Sequence, residues 1–169
     1  SATMDIKSKR VAEGPHSLLK QMIEFVEGNI PTLIQIEKRF DFKFEKKTNL
    51  TDIANGVENY EGIVEDPMFP QNDFSRKRNV WYIKSKNEVS IGFEFNTNHA
   101  AQLDLCIDKG LMHIHLSKFL KTRRKELGHY PVRVEYFGEI NGYQRVVEVS
   151  PVYFSSNPCV TGFYITYQF

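Results

Sequence analysis

Asn141-Gly142 separates two runs in which apolar side chains recur at every second residue: Val132, Val134 and Tyr136 before it, Val147 and Val149 after it. A period of two places those side chains on one face of an extended strand. The dipeptide readily takes the positive φ angles of a two-residue type I′ turn, so the stretch predicts a β-hairpin. A hairpin with one apolar face must bury that face against something. The remaining segments are therefore read for further strands, and for helices that would cover them.

Val80-Trp81-Tyr82-Ile83 and then Val89, Ile91, Phe93 and Phe95, joined through Ser85-Lys86-Asn87-Glu88, predict another hairpin. Leu103, Leu105 and Ile107 alternate with polar residues. With Lys109-Gly110 as a turn and Leu111 to Leu116 as the returning strand, they predict a third. Phe40, Phe42 and Phe44 predict a short strand, while Thr48 to Asn79, punctuated by Gly62, Pro67 and Pro70, reads as a long loop. Ser150-Pro151 and Asn157-Pro158 confine any strand around Val152-Tyr153-Phe154 to a short or edge position. Phe163, Ile165, Tyr167 and Phe169 close the chain as a strand tied into the sheet.

Two regions carry helical signals. Pro15 suits a first helical position, and Leu18, Leu19, Met22, Ile23 and Val26 fall on one helical face. Gly28-Asn29 ends or bends that helix, and Pro31 starts a second segment through Leu33, Ile34 and Glu37. Later, Ser117 is an N-cap for a helix running to Leu127, with Gly128 closing it. That helix would carry Lys118, Lys121 and Lys125 as an outward stripe, with Arg123 and Arg124 beside it. The expected fold is α+β: a mostly antiparallel sheet of hairpins, an N-terminal helical segment, and one inserted basic helix packed on the sheet. Residues 1–14 read as a flexible leader, Ser1-Ala2-Thr3 being the remnant of a tag, and residues 15–169 as one domain.

Lys and Arg, 22 in all, nearly cancel 21 Asp and Glu, so no overall field draws the chain to nucleic acid or membrane, and a charged partner must be recruited by a local patch. Cys106 and Cys159 are too few for a disulfide framework or to close a zinc site unaided, which makes a reducing compartment the simpler expectation. Without an apolar run of membrane-spanning length or the core of a signal peptide, the chain is expected in the cytoplasm, with no membrane partner.

Positive charge beside aromatic rings is the most suggestive local pattern. Arg76, Lys77 and Arg78 immediately precede Trp81 and Tyr82, and the basic helix adds Lys118, Lys121, Arg124 and Lys125. Cations neutralise phosphates and rings stack on unpaired bases. The expectation is a non-enzymatic binding module that recognises nucleic acid through these residues. The alternative is an inhibitor or accessory domain that contacts a protein through its aromatic-rich sheet or long loop. A plain solvated surface with the rings in the core competes with both. His113 and His115, two apart in a predicted strand, would share a face and are candidate metal ligands with Asp104 or Asp108; ordinary solvent-face histidines would look the same. Cys106 has no adjacent base to activate it. The chain carries no phosphate-cradling loop, dinucleotide fingerprint or nucleophile elbow, so no cofactor is called for.

Ser90-Ile91-Gly92-Phe93-Glu94-Phe95 has an apolar-acidic character, and the order helix, strand, strand, strand, helix, strand from Pro15 to Phe137 resembles the core of the PD-(D/E)XK nucleases. The resemblance implies a divalent-metal site with Glu94 and Asp104 as its acids. It departs at Cys106, which stands where the lysine of the family's acidic-x-Lys triplet is expected.

Overall fold

The computed structural model describes residues 15–65, 77–95, 106–125 and 133–169. The leader at 1–14 therefore lies outside the described residues, as do Arg76, Asp104 and the strand predicted around Leu103 and Leu105.

Helix α1, Pro15–Glu27, buries Leu19, Met22 and Val26 of the face read from the sequence and adds Phe25, while Ile23 is half-buried. Helix α2, Leu33–Phe40, starts at a capping box in which Thr32 and Gln35 satisfy each other's backbone N–H. It ends at Asp41, whose φ of 55° is left-handed. The alternating Phe40, Phe42 and Phe44 are not a strand. Phe40 closes α2 in the core, and Phe42 and Phe44 meet edge to face at 4.7 Å ahead of the short strand β1, Glu45–Lys47.

The predicted long loop contains two elements before its undescribed stretch: a one-turn helix α3, Leu50–Ala54, and strand β2, Glu58–Glu65. The signal for β2 was weak because its inward face includes Gly62. Phe42 lies so close over this glycine that an added Cβ would come 2.4 Å from the ring. Strands β3, Lys77–Lys84, and β4, Glu88–Glu94, form the hairpin predicted at 85–88. Strands β6, Arg133–Ile140, and β7, Tyr143–Ser150, form the one predicted at Asn141-Gly142, whose φ angles are 53° and 82°.

Two predicted elements are corrected. Residues 111–116 do not return as a strand after a turn at Lys109-Gly110: Lys109–Ser117 is a helix, α4, with Asp108 as N-cap accepting from the Leu111 N–H. Its buried residues Lys109, Met112 and Leu116 have helical spacing, which the apolar run had masked. The expected basic helix from Ser117 does not form. Lys121–Lys125 is instead strand β5, paired antiparallel with β6, so the inserted helix precedes the basic segment rather than carrying it. The segment around Val152–Phe154 makes turns rather than a strand.

The closing strand β8, Gly162–Gln168, is central rather than marginal. The eight strands among the described residues form one fully antiparallel sheet in the order β1-β2-β3-β4-β8-β7-β6-β5. Helices α1, α2 and α4 pack on one face, against Tyr82, Phe93, Tyr136, Val147, Ile165 and Tyr167. Polar anchors fix this layer. Tyr82 donates to the Pro31 carbonyl at 3.1 Å, and Tyr167 to that of Phe25 at 2.6 Å. The guanidinium of Arg145, fully buried and 5.0 Å above the Tyr167 ring, donates to the carbonyls of Phe25, Val26, Gly28 and Ile140. It thus supplies donors to carbonyls that the end of α1 leaves without intrahelical partners.

Cys106 and Cys159 are joined in a disulfide with their Cα atoms 5.1 Å apart, which corrects the expectation of two free thiols. Their segments are also clamped by the Val160 N–H donating to Ile107 and the Lys109 N–H donating to Pro158, at 2.8 and 3.0 Å, with the Lys109 ammonium on the Ser155 carbonyl. No helix among the described residues is long and apolar enough to cross a membrane.

Candidate functional site

Helices α1, α2 and α4 leave the other face of the sheet uncovered. Successive strand residues point to opposite faces, so the pairing registers determine which side chains meet there. One cross-strand row runs through all eight strands: Glu45, Glu61, Trp81, Gly92, Tyr164, Glu148, Glu135 and Arg123. At its centre two rings flank a glycine, and an added Cβ at Gly92 would lie 3.0 Å from Trp81 Cε3 and 3.0 Å from Tyr164 Cδ1. Trp81 and Tyr164, both half-buried, line with Asn59, Glu61, Ile83, Ser90 and Thr166 an open cleft of about 400 Å³. Ile63 and Ile83, 56% and 37% exposed, extend the apolar area on the same face.

Charges of both signs surround this cleft, and Lys43 and Lys47 line the adjoining hollow beside Trp81 and Glu61. Beside Tyr164 lies Glu148, in a loose pair with Arg133 at 3.8 Å. Beside Trp81 lies Glu61, 4.0 Å from Lys47. Glu94 accepts a long 3.4 Å hydrogen bond from Asn79. The Tyr164 phenol is raised above its ordinary pKa, first by burial and then by the negative charges of Glu94 and Glu148. Glu148 is itself raised, by burial and by its neighbour Glu135. Glu135, only 2% exposed, is lowered: burial opposes ionisation, but Lys125 at 2.6 Å and Arg123 at 2.7 Å outweigh it.

The residues expected to contact nucleic acid are scattered by the fold. Trp81 faces the open cleft, but Tyr82, its neighbour in sequence, points the opposite way and is buried against Pro31, so its ring is not offered to a ligand. Arg78 is buried with its guanidinium 5.0 Å from the Phe95 ring, and Lys77 is exposed. Lys121 and Lys125, with Arg123, lie on the open face at the far edge of the sheet, while Arg124 points the other way, over the Phe154 ring at 5.2 Å. Five strand spacings separate β3 from β5, roughly 24 Å. Lys118, exposed, follows α4.

The histidine pair is also separated. On a helix, His113 and His115 are about 200° apart around the axis, not on one face. His113 Nδ1 meets the Tyr136 hydroxyl at 2.6 Å, and its ring stacks on Tyr153 at 4.0 Å. Burial pushes the Tyr136 phenol up to about 12. Among the described residues no group of three or more His, Cys, Asp or Glu side chains could hold a metal ion.

The chain matches no protein-family model, no curated protein and no solved structure.

The centre of the open face thus unites Trp81, which sequence reading singled out, with Tyr164, Gly92, Asn59 and Glu61, which it missed. A partial signal existed. Phe163, Ile165 and Tyr167 were read as one inward face, so Tyr164 had to point the other way. Its position beside Trp81 depended on β8 inserting next to β4.

Proposed function

We propose that this chain is a non-enzymatic binding module that takes a protein partner on the open face of its sheet. The observation that carries the reading is the apolar and aromatic surface of Ile63, Trp81, Ile83 and Tyr164 on the sheet face opposite α1, α2 and α4. Aromatic surface of this kind, rimmed by polar groups, marks interaction sites. The test is a photo-crosslinking residue placed at Ile83, with a second placed at Lys38 on the helical side as control, in nuclease-treated extract of the source. A stoichiometric protein adduct from position 83 alone is the expected result. Adducts of equal yield from both positions, or none, would refute the reading.

Nucleic acid is the second reading, favoured by one feature: Lys121–Lys125, sequence KTRRK, is an edge strand with all five residues exposed. It predicts binding that weakens steeply with salt and is reduced by Lys121→Ala with Arg124→Ala. A titration at low salt without affinity would sink it. The divergent nuclease reading would use Glu94 on the open face, with Asp104 outside the described residues and Cys106 held in the disulfide. As for location, a disulfide is more usual in oxidising compartments than in the cytoplasm proposed from the cysteine count.

A further inference from the structure

The two edge strands of the sheet differ in length and in charge. β1 has three residues, and its cations are answered locally, Lys47 by Glu45 and Glu61 and Lys46 by Glu58. β5 pairs with β6 over five consecutive residues without a bulge, contains no proline, and leaves all five residues exposed. Among the described residues no strand pairs with its outer edge. Alternate residues of an antiparallel strand turn both N–H and C=O away from their neighbour, so this edge presents donors and acceptors at the repeat of another extended chain. Its charge is answered only in part. Arg123 and Lys125 share the one carboxylate of Glu135, while Lys121 and Arg124 have no carboxylate partner among the described residues. Aromatic rings flank the edge on both faces, Phe137 with Arg123 4.6 Å above it and the half-exposed Phe154 with Arg124 at 5.2 Å.

We propose that the free edge of β5 takes an extended acidic segment of a partner protein as an added strand. The open ladder selects a polypeptide, whose N–H and C=O groups alternate at the strand repeat; a phosphodiester backbone has no such pattern. The side chains select its charge. Lys121, Arg123 and Lys125 project from one face at every second residue, so acidic residues at i, i+2 and i+4 of the incoming strand meet all three. A second copy of this chain is the wrong occupant, because centred antiparallel pairing of β5 with itself sets Arg123 against Arg123 and Lys121 against Lys125. Charge that keeps an edge strand from its own kind leaves it open to the opposite sign. The edge lies roughly 24 Å from the Trp81 strand, so this inference goes beyond the open-face reading and does not depend on it.

The full, disulfide-bonded chain, isotope-labelled for NMR, is titrated with an acetylated, amidated octapeptide of alternating glutamate and valine. The matching glutamine–valine and lysine–valine peptides and oligothymidylate are the comparisons. The expected result is saturable binding of the glutamate peptide, about tenfold weaker for the glutamine peptide and weaker still for the lysine one. Hydrogen exchange separates strand addition from attraction by charge alone. Alternate amides of residues 121–125 should exchange freely in the unbound chain and slow about tenfold or more at saturation. Lys121→Glu with Arg124→Glu should weaken the glutamate peptide about tenfold and move the preference towards the lysine peptide, with circular dichroism checking that the sheet persists. No affinity for the glutamate peptide, equal affinity for the glutamine peptide, binding without slowed exchange, or tighter binding of oligothymidylate would each overturn the proposal. So would protection of all five amides in the unbound chain, since the edge would then be covered already. Loss of the position-83 crosslink refutes the open-face reading alone and leaves the β5 result standing.

Discussion

Replacing Arg145 with methionine keeps most of the aliphatic stem under α1 and deletes the guanidinium. In the native fold this group donates to the carbonyls of Phe25, Val26, Gly28 and Ile140. Phe25 keeps a donor in the Tyr167 hydroxyl, so three carbonyls lose this partner. Leaving a buried acceptor without its donor costs about 1 kcal/mol or more, which sums to roughly 3 kcal/mol. One term acts in the other direction: burial holds the Arg145 pKa below its ordinary value, and removing the charge relieves that desolvation. The net loss is set at about 2–4 kcal/mol, or a fall of roughly 1–2 M in the urea midpoint for a slope near ~2 kcal/mol per M. Arg145→Lys should lie between the two, since one ammonium cannot span the end of α1 and the Ile140 carbonyl together. Equilibrium unfolding followed by circular dichroism, with the disulfide intact throughout, measures both. A midpoint within ~0.3 M of wild type for the methionine variant would refute the assignment of Arg145 as the bond between helix and sheet.

The paired carboxylates Glu135 and Glu148 should give opposite pH dependences. Glu135 has a lowered folded pKa, so its stabilisation is present above the unfolded value and lost as pH falls through the folded one; Glu135→Gln should cost about 2 kcal/mol at pH 7 and less in acid. Glu148 has a raised folded pKa, so its charge costs stability at neutral pH and the cost is relieved on acidification; Glu148→Gln should compare better with wild type at pH 7 than at pH 4. Denaturation midpoints at the two pH values decide it, and parallel shifts for both variants would contradict the argument. Peptide mapping without reductant should recover residues 106 and 159 in one cross-linked fragment. With the two positions 53 apart in sequence, replacing both cysteines with alanine should cost up to about 4 kcal/mol by the chain-entropy model. Free thiols at both positions in the folded chain would contradict the bond.

Local chemistry was enough to read the hairpins at 85–88 and at Asn141-Gly142, and the apolar stripe of α1. In each case the deciding interactions lie within a few residues: a turn that accepts positive φ, or side chains at i, i+3 and i+4. Residues 109–117 and 121–125 were misread for a related reason. Met112, Ile114 and Leu116 alternate as a strand would, and only the burial of Met112 and Leu116 in the shared core, with Ile114 left exposed, makes them a helix. KTRRK has no apolar alternation at all; it is a strand because β6 offers it an edge. The candidate site divides in the same way.

The sequence by itself determined that Trp81 and Tyr82 face opposite sides of one strand and that Tyr164 opposes Phe163 and Ile165, because extended backbone alternates its side chains. Only the tertiary structure decided that β8 lies between β4 and β7. That long-range pairing sets Tyr164 across Gly92 from Trp81, gathers Glu61, Glu94 and Glu148 around the two rings, and sends the basic strand β5 to the far edge. Register between strands some 70 residues apart in sequence depends on which apolar faces α1 and α4 cover together, and no local signal encodes that choice.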